Sequence, residues 1–163
     1  MTDSKVLSWA FLFFMAHIYL SNGSKTIVDQ QDYVYLSQFN WHYNSKGYAY
    51  RWGAKKKGIL MHREIMGTPV GVLTDNINGN RLDNRRINLR FATAAQNSMN
   101  SSHITKSGFK GIFRTVTGQW AARLRISGKS LYLGIFKSPR EAADAYNKGA
   151  LLHYGKFAKL NEV

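Results

Sequence analysis

Three polar side chains that could build one ion site, two as ligands, stand within one short stretch of the chain: Asp75, Asn88 and Asn97. A carboxylate at the end of one strand and an amide oxygen in the first turn of a helix packed on it can meet around one hard divalent cation. Such an ion takes oxygen ligands and fills its remaining positions with water and phosphate. Asp and Asn are also ordinary turn residues, which accounts for the same three with no ion at all. The chain has no cysteine, so disulfides, thiol nucleophiles and thiolate zinc sites are excluded. Any metal must sit on His, Asn, Asp or Glu.

The elements that would carry these residues follow from local pattern. Leu73 to Asn76 suits a strand, Asn78-Gly79-Asn80 tolerates left-handed backbone, and Leu89 to Ala92 suits a returning strand. Thr93-Ala94-Ala95-Gln96 matches a capping box, so a helix starts there with Asn97 in its first turn. The unit predicted is strand, loop, strand, helix. Ahead of it, HIYL from His17, the turn SNGS and KTIVD read as strands, with Asp29 placed to cap a helix over QQDYVYLSQF. Trp41 to Tyr43 and Tyr48 to Trp52 read as a hairpin around Asn44-Ser45-Lys46-Gly47. Lys55-Lys56-Lys57 forms its exposed exit, either a solvated charge run or a phosphate contact. LMHREIMG after Ile59 reads as a short apolar helix.

The 163 residues carry 23 Lys+Arg against 9 Asp+Glu, a net charge of +14. That balance points to a polyanionic partner. Split after Ser101, the halves hold 12 basic with 6 acidic and 11 basic with 3 acidic residues, so both share the surplus. Apolar content of 44% is enough for packed cores and excludes a disordered basic tail. Val6 to Leu20 is an apolar run shorter than the ~20 residues that span a bilayer, and its flank lacks a basic n-region. No membrane role is expected. Residues 1–14 are either an apolar segment packing on the domain behind it or text upstream of a start at Met15.

Ser101 to Ser107 is polar and reads as a linker, placed at 102–108 between a domain over 15–101 and another over 105–163. The second domain shows three strand-like runs, Phe109 to Thr115, Gln119 to Ile126 and Ser130 to Phe136. A helix follows, capped by Ser138 with Pro139 at its first position. Ala142, Ala143, Tyr146, Ala150 and Leu151 recur at helical spacing and form its packing face. Alternation sends Trp120, Ala122, Leu124 and Ile126 toward that helix and Gln119, Ala121, Arg123 and Arg125 away from it. Lys110 and Arg114 on the first strand and Tyr132 on the third flank the two arginines. Such a face can enter a major groove, where Arg reads guanine; an ordinary solvated face has the same spacing.

The run Asp75, Ile77-Asn78-Gly79-Asn80, Leu82-Asp83-Asn84-Arg85-Arg86, Asn88-Leu89-Arg90, Thr93 and Gln96-Asn97 resembles the ββα-metal motif of HNH endonucleases. Residues 17–68 resemble the leader of phage-borne members. The resemblance implies that Asp75 and Asn97 hold a magnesium or manganese ion and that Asn88 braces the loop. Asn76 stands at the general-base position, where the family carries His. An amide cannot accept a proton near neutral pH, so base catalysis worth ~10²–10⁴-fold should be lost. His62 is the imidazole nearest the motif and is read as structural or phosphate-contacting.

SGFKGIFR, GQWAARLR, LYLGIF, SPREAADAYNKGA and GKFAKLN, over about 105–161, resemble the Apetala-two/ethylene-response-factor DNA-binding domain. That implies a three-stranded sheet in the major groove, with Lys110, Gln119, Arg123, Arg125 and Tyr132 at or near DNA-facing positions. Phe113 stands where plant members often have Arg, so their GC-rich preference does not carry over.

The expected architecture is α+β: a small N-terminal β/α region leading into the ββα-metal module, then a three-stranded antiparallel sheet packed on one helix. The expected function is a homing-type, site-specific DNA endonuclease of a phage or mobile element, acting in the bacterial cytoplasm and slowed by Asn76. The alternative is a sequence-specific DNA-binding protein that no longer cuts. No protein partner is implied.

Overall fold

The computed structural model describes residues 15–101 and 103–163; the expectations for residues 1–14 lie outside them. The chain divides after Ala92 into two compact units. This division leaves the helix after Thr93 with the second unit.

In the first unit, β1 (Met15–Tyr19) and β2 (Lys25–Asp29) pair as an antiparallel hairpin. α1 (Gln30–Leu36) follows directly. Asp29 is its N-cap residue by position but makes no side-chain capping bond. Its Oδ2 instead accepts from the Arg86 amide at 2.7 Å, so a long-range turn wins over the local cap. β3 (His42–Tyr43), β4 (Ala49–Trp52) and β5 (Gly58–Leu60) form an antiparallel sheet in chain order. Asn44 closes the first of its turns by accepting the Lys46 and Tyr48 amides at 3.0 and 2.9 Å. β5 was not expected from sequence; it is three residues long and runs straight into α2 (Met61–Met66). Val28, Leu36, Trp41 and Met61 form the centre of the core. The Trp41 indole N–H is satisfied inside it by the Leu36 carbonyl at 2.8 Å.

β6 (Leu73–Asn76) and β7 (Leu89–Ala92) pair with Leu73 opposite Ala92 and Asp75 opposite Arg90, at the strand limits the sequence predicts. The loop between them does not hang free. Ile27 of β2 bridges to Asp83, donating its N–H to the Leu82 carbonyl and accepting from the Asn84 N–H, both at 2.8 Å. Thr26 adds Oγ1 to the Leu82 carbonyl at 2.7 Å and accepts Asn84 Nδ2 at 2.7 Å. Thr26 and Asn84 are fully buried, so β2 serves as the rigid rail for the loop.

The second unit starts with α3 (Ala94–Met99). Its capping box is complete: Thr93 Oγ1 accepts the Gln96 amide and Gln96 Oε1 accepts the Thr93 amide. β8 (Ile112–Arg114), β9 (Trp120–Ile126) and β10 (Lys129–Phe136) form an antiparallel sheet with β9 central. α4 (Pro139–Tyr154) packs on one face, started by Ser138 Oγ accepting the Glu141 amide. Ala142, Ala143 and Ala150 are fully buried against Ala122 and Leu124, because only small side chains allow a helix so near a sheet. Leu151 is exposed, contrary to expectation: one residue past Ala150 turns it about 100° off the packing face. Tyr154 and Asn147 are buried in its place. The Asn147 side chain bonds both backbone groups of Asn161, and the Asn161 side chain in turn bonds both backbone groups of Lys110.

Candidate functional site

Asp75 and Asn76 end β6 and are nearly buried. Because Asp75 lies opposite Arg90 on β7, the two side chains share a face: Arg90 Nε donates to Asp75 Oδ2 at 2.8 Å, and Nη2 stands at ion-pair distance from the same oxygen, 2.7 Å. A carboxylate only 5% exposed thus has its charge compensated by a guanidinium. The next residue faces the loop: Asn76 Nδ2 donates to the Asp83 carbonyl at 2.9 Å. Asn88 Nδ2 donates to that same carbonyl at 2.8 Å, while Asn88 Oδ1 accepts the Asn78 amide at 2.9 Å and its backbone carbonyl accepts the Ile77 amide at 2.8 Å. Asn88 is therefore a latch across the loop.

Asp83 is the hub that sequence reasoning did not single out. Its backbone carbonyl takes both amides, and its carboxylate takes a fork from Arg85 at 2.8 and 2.6 Å and a bond from Asn78 at 2.9 Å. The Arg85 fork holds the Asp83 carboxyl below the usual carboxylate range, against the opposing effect of burial. Of the three residues that tolerate left-handed backbone, only Gly79 adopts it (φ +80°). Asn78 and Asn80 instead turn the chain through their side chains, each accepting the amide two residues on. Asn97 lies half-buried on the first turn of α3, its N–H bonded to the Thr93 carbonyl at 2.9 Å.

His62 is 4% exposed and packs on Tyr48 with ring centroids 4.8 Å apart. Burial, helped by the Arg63 charge, pushes its pKa down to about 4. This group is structural, and it sets a pH dependence. The unfolded chain takes up a proton near ~6.5 but the folded one only near 4, so stability falls as pH drops across that interval. The full loss is about 3 kcal/mol. Urea midpoints at pH 7 and pH 4.5 should separate for this chain and converge for His62→Phe; equal pH dependence in both would exclude His62 as the origin.

On the second unit, Arg123 and Arg125 are exposed on the sheet face away from α4, as alternation requires. Tyr132 lies opposite Arg123 and is exposed, and Gln119 is exposed just before β9. Three expectations for this face change. Ala121 is fully buried, since Phe113 and Ile135 lie on either side of it in the neighbouring strands. Arg114 pairs with Trp120 and so leaves the sheet on the helix side, where its Nε donates to the Gly118 carbonyl at 3.2 Å. Lys110 turns inward, with its ammonium donating to the Met99 carbonyl and to the Ser101 carbonyl at 2.7 Å. Burial and the Lys159 charge bring the Lys110 pKa down to about 8. It clamps the end of α3, whose last carbonyls lack helical partners. A cleft of about 850 Å³ runs here, with Ala95 and Ser98 of α3 and Arg123, Arg125 and Ser130 of the sheet among its lining residues.

No described helix is long and apolar enough to cross a membrane. No family model matches the chain, and no solved structure matches it. Among known proteins it is similar to an uncharacterized HNH endonuclease of Acanthamoeba polyphaga mimivirus, 28% identical over 147 residues, covering 86% of this chain and 76% of that protein. It is also similar to two Arabidopsis thaliana proteins, dehydration-responsive element-binding proteins 2A and 2E. The identities are 37% over 59 residues and 36% over 63 residues. These matches span 18% and 26% of the plant proteins' length. The chain is thus a homologue of an HNH endonuclease over most of its length, with part of it similar to plant Apetala-two/ethylene-response-factor proteins.

Proposed function

We propose that this protein is a homing-type, site-specific endonuclease of a phage or other mobile element, acting on double-stranded DNA in its host's cytoplasm. In this reading the first unit hydrolyses a phosphodiester and the sheet of the second chooses the site. The observation that carries it is the loop in which Asn76 and Asn88 share the Asp83 carbonyl and hold Asp75 at the strand end.

The donors suit a hard cation. Asp75 and Asn97 would each offer an oxygen, the ligand type that magnesium and manganese take, rather than the nitrogen and sulfur ligands common at zinc. Such an ion, when bound, stabilises charge on the scissile phosphate and the leaving 3′ oxygen. Arg90 orients the Asp75 carboxylate, and Asn88 keeps the loop closed. Asn76 cannot take a proton from water, so cutting by this chain is slow.

The Asn76 side chain also favours a second reading, a sequence-specific DNA-binding protein that no longer cuts. Nicking of supercoiled plasmid with magnesium or manganese, and with EDTA, separates the two: slow metal-dependent nicking supports the endonuclease, and none on a site the chain binds supports the binding protein.

Arg123→Ala or Arg125→Ala should weaken specific binding by about 1–3 kcal/mol where a base contact is lost, with much smaller loss on random duplex. Unchanged binding by both variants would exclude this face as the reader.

A further inference from the structure

We propose that the sheet of the second unit reads thymine through its 5-methyl group, using an apolar row in which Phe113 and Ile135 flank the buried Ala121. The inference rests on the DNA-binding reading above and adds the base it selects.

The row follows from register. Phe113 of β8 and Ile135 of β10 both lie opposite Ala121 of the central β9. In an antiparallel sheet, directly opposed residues share a face, and Ala121 shares its face with Arg123 and Arg125 because alternate residues of a strand do. A β-bulge makes this possible. Pairing runs from Tyr132 opposite Arg123 to Gly134 opposite Ala122, leaving Leu133 as the extra residue. Without it, Tyr132 and Ile135, three apart, would point to opposite faces. With it, both lie on the outward face, where Ile135 is 50% and Tyr132 54% exposed. Gly134 adopts φ +130° at the bulge, which suits a residue without Cβ.

The face is therefore graded. At the level of Ala121 it is apolar across all three strands. One step along, Arg123 stands beside Tyr132, and one step further Arg125 stands beside Ser130. The Arg123 guanidinium lies 4.8 Å from the Phe113 ring centroid, which steadies both side chains at the boundary. On a face that meets duplex DNA, the occupant of the apolar row is fixed by groove chemistry. The thymine methyl is the apolar group on the major-groove edges, while guanine, adenine and cytosine present hydrogen-bonding atoms that this row cannot satisfy. The two arginines beside it supply the complementary charge for the same surface.

The test selects binding sites for the full chain from random duplexes at fixed salt, then replaces single thymines of the selected site with uracil, which pairs identically and lacks only the methyl. We expect thymine at one or two positions and a loss of about fourfold per methyl removed. Phe113→Ser and Ile135→Ser should each reduce the preference for thymine over uracil. A chain that selects no duplex overturns the DNA-binding reading together with this inference. A chain that selects a site yet holds thymine and uracil duplexes equally overturns this inference alone.

Discussion

Asn76→His should raise metal-dependent nicking of supercoiled plasmid by about 10²–10⁴-fold. The reason is positional as well as chemical. Asn76 already donates a hydrogen bond to the Asp83 carbonyl at 2.9 Å, and an imidazole there can present Nδ1–H to the same acceptor. A neutral ring that donates from one nitrogen must accept through the other, so that bond fixes Nε2 as the base. The rate should rise with pH as the ring deprotonates near ~6.5. In the Asn76→His background, Asp75→Ala should abolish the gain, because it removes a carboxylate and leaves the base. His62 cannot stand in: it is buried against Tyr48, and its pKa lies near 4. Brisk cutting by the unaltered chain would show that another base operates. No cutting by Asn76→His on a site it demonstrably binds would hand the molecule to the binding-protein reading.

The second large effect is on stability. Gly111→Ala should cost the second unit about 2–5 kcal/mol, combining left-handed backbone strain with overpacking. Gly111 has φ +74°, and a Cβ there would meet the Tyr146 ring at 2.3 Å and the Arg123 carbonyl oxygen at 2.7 Å. The ring cannot step aside, because Tyr146 is 2% exposed within the core under the sheet. For a domain of this size, a few kcal/mol is a large share of the total and lowers Tm by roughly 10 °C or more. Gly128→Ala provides the comparison: φ is +81° there, but nothing lies within 4 Å of the added carbon. Equal melting of the two variants would show that only backbone strain, and not the Tyr146 contact, acts at Gly111.

What was legible in the sequence was mostly local. The limits of β6 and β7, the Thr93 capping box and the Ser138 cap each depend on residues a few positions apart, and all stand in the structure. Distant partners decided the rest. Asp29 looked like a helix cap until the Arg86 amide claimed its carboxylate. Lys110 stood at a DNA-facing position by resemblance, but the Met99 and Ser101 carbonyls lie within its reach. Ile135 belongs by simple alternation with the buried side chains, and a one-residue bulge turns it outward. Asp83 was quoted within a motif but given no task; its position between two asparagine-rich turns was the available signal. The ion ligands and the base position were legible only through family resemblance, since Asp and Asn spacing alone suits any turn.

The inward Lys110 also changes how this protein should respond to electrolyte. Each cation that neutralises a duplex phosphate releases condensed counterions and adds about 0.9 to the steepness with which log affinity falls against log salt concentration. An ammonium held by the Met99 and Ser101 carbonyls releases none. Lys110→Met should therefore leave that slope unchanged while loosening the end of α3, which is visible as faster amide exchange there. A slope reduced by about one would mean that Lys110 swings out to meet the backbone of the duplex when DNA arrives.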